Sequence, residues 1–89
     1  MNTEYLPSFI KDLKKLKRTP VYEEIKSLAF QTIPNCSDIT KIKKLKKLKG
    51  AKNAYRIRIN DYRIGIFITN EIITFSRVLH RKEIYRDFP

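Results

Sequence analysis

Between Tyr55 and Gly65 the chain reads Tyr-Arg-Ile-Arg-Ile-Asn-Asp-Tyr-Arg-Ile-Gly, and this alternation constrains the fold more than any other segment. Side chains on a strand point to opposite faces in turn. Ile57, Ile59, Ile64, Ile66 and Ile68 therefore fall on one side with Tyr55 and Tyr62, and Arg56, Arg58 and Arg63 share the other. Asn60-Asp61 between the two runs supplies a tight turn, so the segment predicts a half-buried hairpin. With these two residues at the centre of the turn, Arg58 stands opposite Arg63 and Arg56 opposite Gly65. Like charges facing each other across strands destabilise a sheet, and a phosphate would relieve that repulsion. Two readings stay open at this point, a solvated basic sheet face and an anion site.

The flanking segments supply a cover for the apolar face. Thr3 to Leu6 reads as a short strand. Phe9, Ile10, Leu13 and Leu16 then recur at helical spacing, with Lys11, Lys14, Lys15 and Lys17 mostly opposite. Thr19 is a suitable N-cap and Pro20 suits a first helical position. With Glu23 and Glu24 near the positive end of the helix dipole, a second helix is predicted from Pro20 to about Thr32. Its stripe is Val21, Ile25, Leu28 and Ala29, and Pro34 with the polar Asn35 to Asp38 segment ends it. The short link makes the two helices an antiparallel pair. Tyr55 to Asn60, Tyr62 to Thr69 and Ile72 to Val78 are predicted antiparallel strands, and His80 to Arg86 a short final helix with Arg81 and Tyr85 on one face. The expected architecture is α+β, with a helical hairpin packed on a mostly antiparallel sheet of about four strands. No repeat, linker or boundary interrupts the chain, so residues 1–89 form one domain.

Charge indicates the partner class. Twenty Lys and Arg against nine Asp and Glu give a formal charge of +11, which favours polyanions such as RNA, DNA or an acidic protein. No apolar run approaches the roughly 20 residues of a spanning helix, and Glu4 and Pro7 disagree with a signal peptide. A cytoplasmic protein without a membrane partner is expected. Cys36 is the only cysteine and His80 the only histidine, so neither a disulfide nor a metal cluster is expected, and no cofactor is called for. Cys36 reads as a free loop thiol. The run Lys41-Ile42-Lys43-Lys44-Leu45-Lys46-Lys47-Leu48-Lys49 has six lysines and no acid, with apolar residues every third position. It reads either as a solvated connector or as a surface that attracts RNA without sequence preference. A membrane-surface helix fits less well, because the apolar stripe is narrow and lacks Trp or Phe.

Several pieces of the chain together resemble the RelE-type toxins of type II toxin-antitoxin systems, within the RelE/ParE superfamily. They are Asp12-Leu13-Lys14-Lys15-Leu16, Leu48-Lys49-Gly50, Tyr55-Arg56-Ile57-Arg58, Tyr62-Arg63 and His80-Arg81-Lys82-Glu83-Ile84-Tyr85-Arg86. Each piece is weak alone, whereas their order and spacing over nearly the whole chain are specific. The resemblance implies the same small α+β fold. It also implies an endoribonuclease that cuts messenger RNA, often in the ribosomal A site, by attack of a ribose 2′-hydroxyl on the adjacent phosphate. The implied partners are a RelB-like antitoxin, mRNA and the ribosome, and the toxin-antitoxin complex is implied to bind its own operator DNA.

Carried over residue by residue, the resemblance implies Arg63 and Arg81 as clamps on the scissile phosphate, a role suited to arginine's rigid donor fork. Arg56, Arg58 and Lys49 would position RNA, and Tyr85 would orient the 2′-hydroxyl or act as base. Some family members carry lysine where this chain has Arg56 and Arg58, and arginine does not readily accept a proton. His80 is chemically the best titrating group, but successive strand residues face opposite ways, so it shares a face with Arg81 only if a bulge or the last helix intervenes. A structural role for His80 is the alternative. Leu79 stands where the family usually has glycine. Tyr55 and Tyr62 read as core-edge residues, Asp61 as a turn residue, and Ser76 as lacking triad partners. Phe67 shares the face of Arg63 and reads as a base-stacking or a packing residue. The alternative function is a ParE-like inhibitor of DNA gyrase that cleaves nothing, since one fold serves both roles.

Overall fold

In the computed structural model, which describes residues 1–89, the strands are β1 (Asn2–Tyr5), β2 (Leu45–Lys47), β3 (Ala54–Ile59), β4 (Tyr62–Thr69) and β5 (Ile72–His80). The helices are α1 (Pro7–Lys15), α2 (Tyr22–Ser27) and α3 (Ile84–Asp87), with a turn of π-helix over Leu28–Thr32 and a 3-10 turn over Ile39–Lys41. The strand order is β1-β5-β4-β3-β2, with only the β1–β5 pair parallel.

The central hairpin has the register expected from its turn, Arg58 opposite Arg63 and Arg56 opposite Gly65. Asn60 supplies the left-handed residue of the turn (φ 52°), a conformation that asparagine tolerates better than most residues. The next turn uses Asn70 and Glu71, both left-handed (φ 50° and 67°), which is the type I′ signature between twisted strands.

Three expectations need correction. The sheet has five strands rather than about four, because Leu45–Lys47 of the lysine run pairs with Ile57, Arg56 and Tyr55. Leu45 at the start of β2 is half-buried, and the lysines that follow it are exposed, so a single inward residue docks this edge. The second helix starts at Tyr22 and not at Pro20. The Thr19 hydroxyl and N–H both donate to the Leu16 carbonyl (2.7 and 2.9 Å), so Thr19 closes α1 instead of opening α2. The last helix covers only Ile84–Asp87. His80 is still in β5 and Arg81 lies in the connecting turn, so Arg81 and Tyr85 are not on one helical face.

Each face of the sheet has its own core. On one, Phe9, Leu13 and Leu16 of the first helix and its end pack with Ile25, Ala29 and Ile33 against Ile57, Ile64, Ile66, Phe75 and Val78. The π-turn is closed by the Ile33 N–H to the Leu28 carbonyl (3.0 Å), and beside it the Ala29 carbonyl accepts from the Tyr5 hydroxyl at 2.6 Å. Tyr5 also stacks between Phe30 and Phe75 (centroids 4.5 and 5.1 Å), which ties the helices to β1.

β1 pairs with β5 only as far as Phe75, and beyond it α1 takes over that edge. The Ser8 hydroxyl donates to the Ser76 carbonyl (2.6 Å), and Asp12 accepts from the Val78 N–H (3.1 Å). Asp12 also receives Nε and Nη2 of Arg77 at 2.7 and 3.1 Å, so its buried carboxylate is neutralised as well as hydrogen-bonded. That bond raises Arg77 further above its ordinary value and leaves it charged at any working pH.

The second core lies under α3. Ile84 and Phe88 pack with Ala54, beside Phe67, Leu79, Leu48 and Ala51. Phe88 lies on Gly65, where an added Cβ would stand 2.7 Å from the ring, so glycine is required by close approach and not by dihedral angle. Phe67 meets Phe88 at 5.0 Å, which identifies it as a packing residue. Tyr55 and Tyr62 are half-buried against the first core, Ser76 is buried and Cys36 is a half-buried free thiol.

Candidate anion site

The pairing places two rows of side chains on the face that carries α3. One row is Lys46, Arg56, Gly65 and Arg77; the next, toward the hairpin tip, is Arg58, Arg63 and Leu79. Gly65 carries Phe88, so the arginines border the helix-covered patch and do not fill the middle of the face.

Arg81 joins this border from the chain end. The Arg81 N–H donates to the Asp61 carbonyl at 2.7 Å, and its Nε lies 3.8 Å from an Asp61 carboxylate oxygen. Both partners are largely exposed, so the ion pair contributes at most about 1 kcal/mol, and the backbone bond fixes where Arg81 starts. Arg63 turns back on its own hairpin: Nη1 donates to the Asn60 and Tyr62 carbonyls at 2.9 and 3.0 Å. Its Nε and Nη2 have no protein partner, which leaves one side of a rigid donor fork for an external acceptor. Arg58 is exposed and takes part in no ion pair. Arg56 leans toward the β2 edge, with Nη1 3.5 Å from the Lys44 carbonyl and a buried Nε that has no partner. Lys44 is itself left-handed (φ 62°), and its carbonyl also accepts from the Arg58 N–H at 3.4 Å. Arg58, Arg63 and Arg81 thus come from elements that meet at the hairpin tip, where Asp61 pairs with Arg81.

The other expected site residues lie around this point. Tyr85 is on α3, next to the anchor Ile84, with its side chain 59% exposed. Lys49 is exposed in the turn before Gly50 (φ 82°), beyond β2. His80 does not join the arginines. It pairs with Tyr62, meets that ring edge-on at 5.5 Å, and accepts the Lys82 N–H on Nδ1 at 3.2 Å. That bond makes His80 a brace for the turn carrying Arg81. A cleft of about 410 Å³ on this side is lined by Asp12, Lys15, Tyr62, Arg77 and His80, among others, and mixes both charge signs.

Two features escaped the sequence reading. Asp12 sits on the stripe of Phe9, Leu13 and Leu16, and an acid at a core position signals a buried cation partner, here Arg77. Lys46 shares the arginine face only because β2 exists, and a three-residue strand within a lysine run has no alternation long enough to recognise. Chemically, fixed donors with free N–H groups suit a phosphodiester.

Comparison with known proteins identifies the family and the fold. The sequence profile for the ParE toxin of the type II toxin-antitoxin system, parDE, matches residues 3–85. Toxin RelE3 of Methanocaldococcus jannaschii is 41% identical over 90 residues, spanning 100% of both chains. A solved RelB-RelE antitoxin-toxin complex from Methanococcus jannaschii contains a chain 40% identical to this one, superposing at a TM-score of 0.76 over 97% of this chain and 99% of that one. The Escherichia coli DinJ-YafQ complex matches at a TM-score of 0.74 over 94% and 97% of the two chains, and its 22% identity shows likeness of fold alone.

Proposed function

This chain belongs to the ParE toxin family of type II toxin-antitoxin systems as a RelE-type toxin, and from that premise we propose that it is an endoribonuclease acting on messenger RNA. The observation that carries the proposal is that the backbone brings Arg58, Arg63 and Arg81 to the hairpin tip, with Nε and Nη2 of Arg63 left without a protein partner. In the reaction, a ribose 2′-hydroxyl gives up its proton to water as its oxygen attacks the adjacent phosphorus, and the bond to the 5′-oxygen breaks as that oxygen takes up a proton, leaving a 2′,3′-cyclic phosphate and a 5′-hydroxyl. Charge grows on the non-bridging oxygens as the phosphorus becomes five-coordinate. Arg63 and Arg81 stabilise that charge, and their fixed origins mean that little reorganisation accompanies the step. Arg58, Arg56 and Lys49 hold the flanking phosphates. Tyr85, exposed next to the arginine border, orients the 2′-hydroxyl. His80 acts through the Arg81 turn that it braces, as a positioning residue.

The substrate is messenger RNA bound in the ribosomal A site, where translation is halted. The solved relative is a complex with RelB, which supports a RelB-like antitoxin as the partner that covers this basic border; the resulting complex binds its own operator DNA. The test is controlled expression in a bacterial host with new RNA 5′ ends mapped by primer extension, beside the Arg81→Ala variant. Cuts within translated messages that vanish in the variant are expected. Growth arrest without cuts overturns the ribonuclease reading in favour of gyrase inhibition.

A further inference from the structure

We propose that the outer edge of β1 is a docking site for an extended segment of a partner protein that alternates apolar and basic residues. The inference goes beyond the ribonuclease reading and does not depend on it. It starts from the distribution of charge. None of the twenty Lys and Arg lies within residues 1–10, 27–40 or 64–76, and the acids of these stretches are Glu4, Asp38 and Glu71. The fold brings parts of all three stretches to one end of the molecule. β1 pairs with Ile72–Phe75, Tyr5 stacks on Phe30, and a hollow of about 430 Å³ is lined by Met1, Ser37, Asp38, Ile39, Ile68 and Glu71. The Met1 ammonium at this end is taken up by the Pro34 and Cys36 carbonyls (2.9 and 2.8 Å), and Lys41 reaches the rim by donating to the Ser37 hydroxyl at 3.3 Å. Glu4 and Glu71 are exposed and in no ion pair. In a chain of formal charge +11, this end therefore repels phosphate backbones and attracts cationic groups.

β1 also offers hydrogen bonds. The Leu6 N–H donates to the Phe75 carbonyl at 2.9 Å, and bonding direction alternates along a strand, so Asn2 and Glu4 likewise face β5 while Thr3 and Tyr5 aim their N–H and C=O groups outward. β1 is the terminal strand of the sheet, and no further strand takes up these four groups. Edge strands are commonly blunted by lysine, proline or a bulge, and Asn2–Tyr5 has none of these.

The side chains of β1 sort by face. Thr3 and Tyr5 share one face, with their hydroxyls 3.0 Å apart, and there Phe30 is 40% exposed. Leu6, at the end of the strand, is 37% exposed. Asn2 and Glu4 lie on the opposite face. An added strand would set its own alternate residues beside these two rows, apolar ones beside Tyr5 and Phe30 and basic ones beside Glu4. A second copy of this chain fits less well, because joining two such ends would bring their acids together.

The test is a titration of the isotope-labelled full chain, followed by heteronuclear NMR, with an acetylated seven-residue peptide that alternates valine and lysine and with its valine-glutamate counterpart. The lysine peptide should give saturable shifts and slowed hydrogen exchange at the Thr3 and Tyr5 N–H groups, and the glutamate peptide should bind roughly tenfold or more weakly. Glu4→Gln combined with Glu71→Gln should weaken the lysine peptide roughly three- to tenfold at low salt and less at high salt. Thr3→Pro removes one outward donor and no bond to β5, and should weaken binding as well. The glutamate variant touches no backbone bond, so it decides the matter if the proline variant does not fold. Absence of shifts at β1 up to millimolar peptide, equal binding of the two peptides, or shifts confined to other acids such as Glu83 and Asp87 would each overturn the proposal. Shifts at Thr3 and Tyr5 that grow with protein concentration in the absence of peptide would reassign the edge to a second copy and overturn it too. No RNA enters the measurement, so failure here and failure of the ribonuclease reading are told apart.

Discussion

The contact between Phe88 and Gly65 permits a quantitative test of how α3 is held. A Cβ on Gly65 would stand 2.7 Å from Cγ and 2.8 Å from both Cδ atoms of Phe88, so the near side of the ring, and not a flexible tip, must retreat by about 1 Å to reach ordinary contact near 3.7 Å. Overpacking of this kind costs about 1–3 kcal/mol, and replacing a strand glycine returns about 0.5–1 kcal/mol, so Gly65→Ala should destabilise by about 1–2 kcal/mol. Phe88→Ala should cost about 3 kcal/mol, near the low end for a buried phenylalanine because the ring lies under a helix only four residues long. Without the ring the alanine has room, so Gly65→Ala in the Phe88→Ala background should be neutral or slightly stabilising. The two sites should therefore be coupled by about 2 kcal/mol in a double-mutant cycle measured by urea unfolding. Hydrogen exchange should place the loss in Gly65→Ala at residues 84–88 rather than across the sheet. Additivity within about 0.5 kcal/mol would refute the packing of Phe88 on Gly65.

Three further outcomes are expected. Asp12→Ala should lower stability by about 3 kcal/mol in urea unfolding with an unchanged m-value, because it strands the Arg77 guanidinium and the Val78 N–H; a loss under about 1 kcal/mol would contradict the edge role of Asp12. Glu71→Gly should stabilise by about 0.5–1 kcal/mol in thermal or urea melts, since glycine adopts the left-handed conformation without steric cost and completes an Asn-Gly turn, and a net loss would count against that dihedral. Arg63→Ala and Arg81→Ala should each abolish growth inhibition while the folded variants still co-purify with the antitoxin; toxicity retained by both would remove the charge-stabilising assignment.

The central strands were readable because their alternation is long and their turn chemistry is local: Tyr62–Thr69 and the pairing of Arg58 with Arg63 follow from residues within a few positions of each other. β2 was not readable for the opposite reason. It exists because Leu45 finds a place beside Ile57 on an edge formed elsewhere, and nothing in a lysine run announces that. Thr19 had two equally good local uses, and the choice to close α1 depends on where Leu16 packs. At the site, the arginines could be assigned to one face from spacing alone. That His80 faces away while Arg81 returns to Asp61 depends on the position at which β5 ends, and strand ends are set by tertiary contacts more than by sequence.

The parallel pairing of β1 with β5 has a consequence for the order in which the protein can be completed during synthesis. Asn2–Tyr5 and the helix after them leave the ribosome well before their partner, Ile72–Phe75 and the segment up to Val78, is made. Until then the first helix has no strand edge to occupy, and Asp12 has no counter-charge. The Arg58–Arg63 hairpin closes locally in microseconds, but the turn that delivers Arg81 to it follows β5 in the chain. A partly made chain therefore carries most of the positive charge of the whole sequence without its assembled site. Assembly awaits the slow, long-range step, which leaves an interval in which a partner can engage the chain before it is competent.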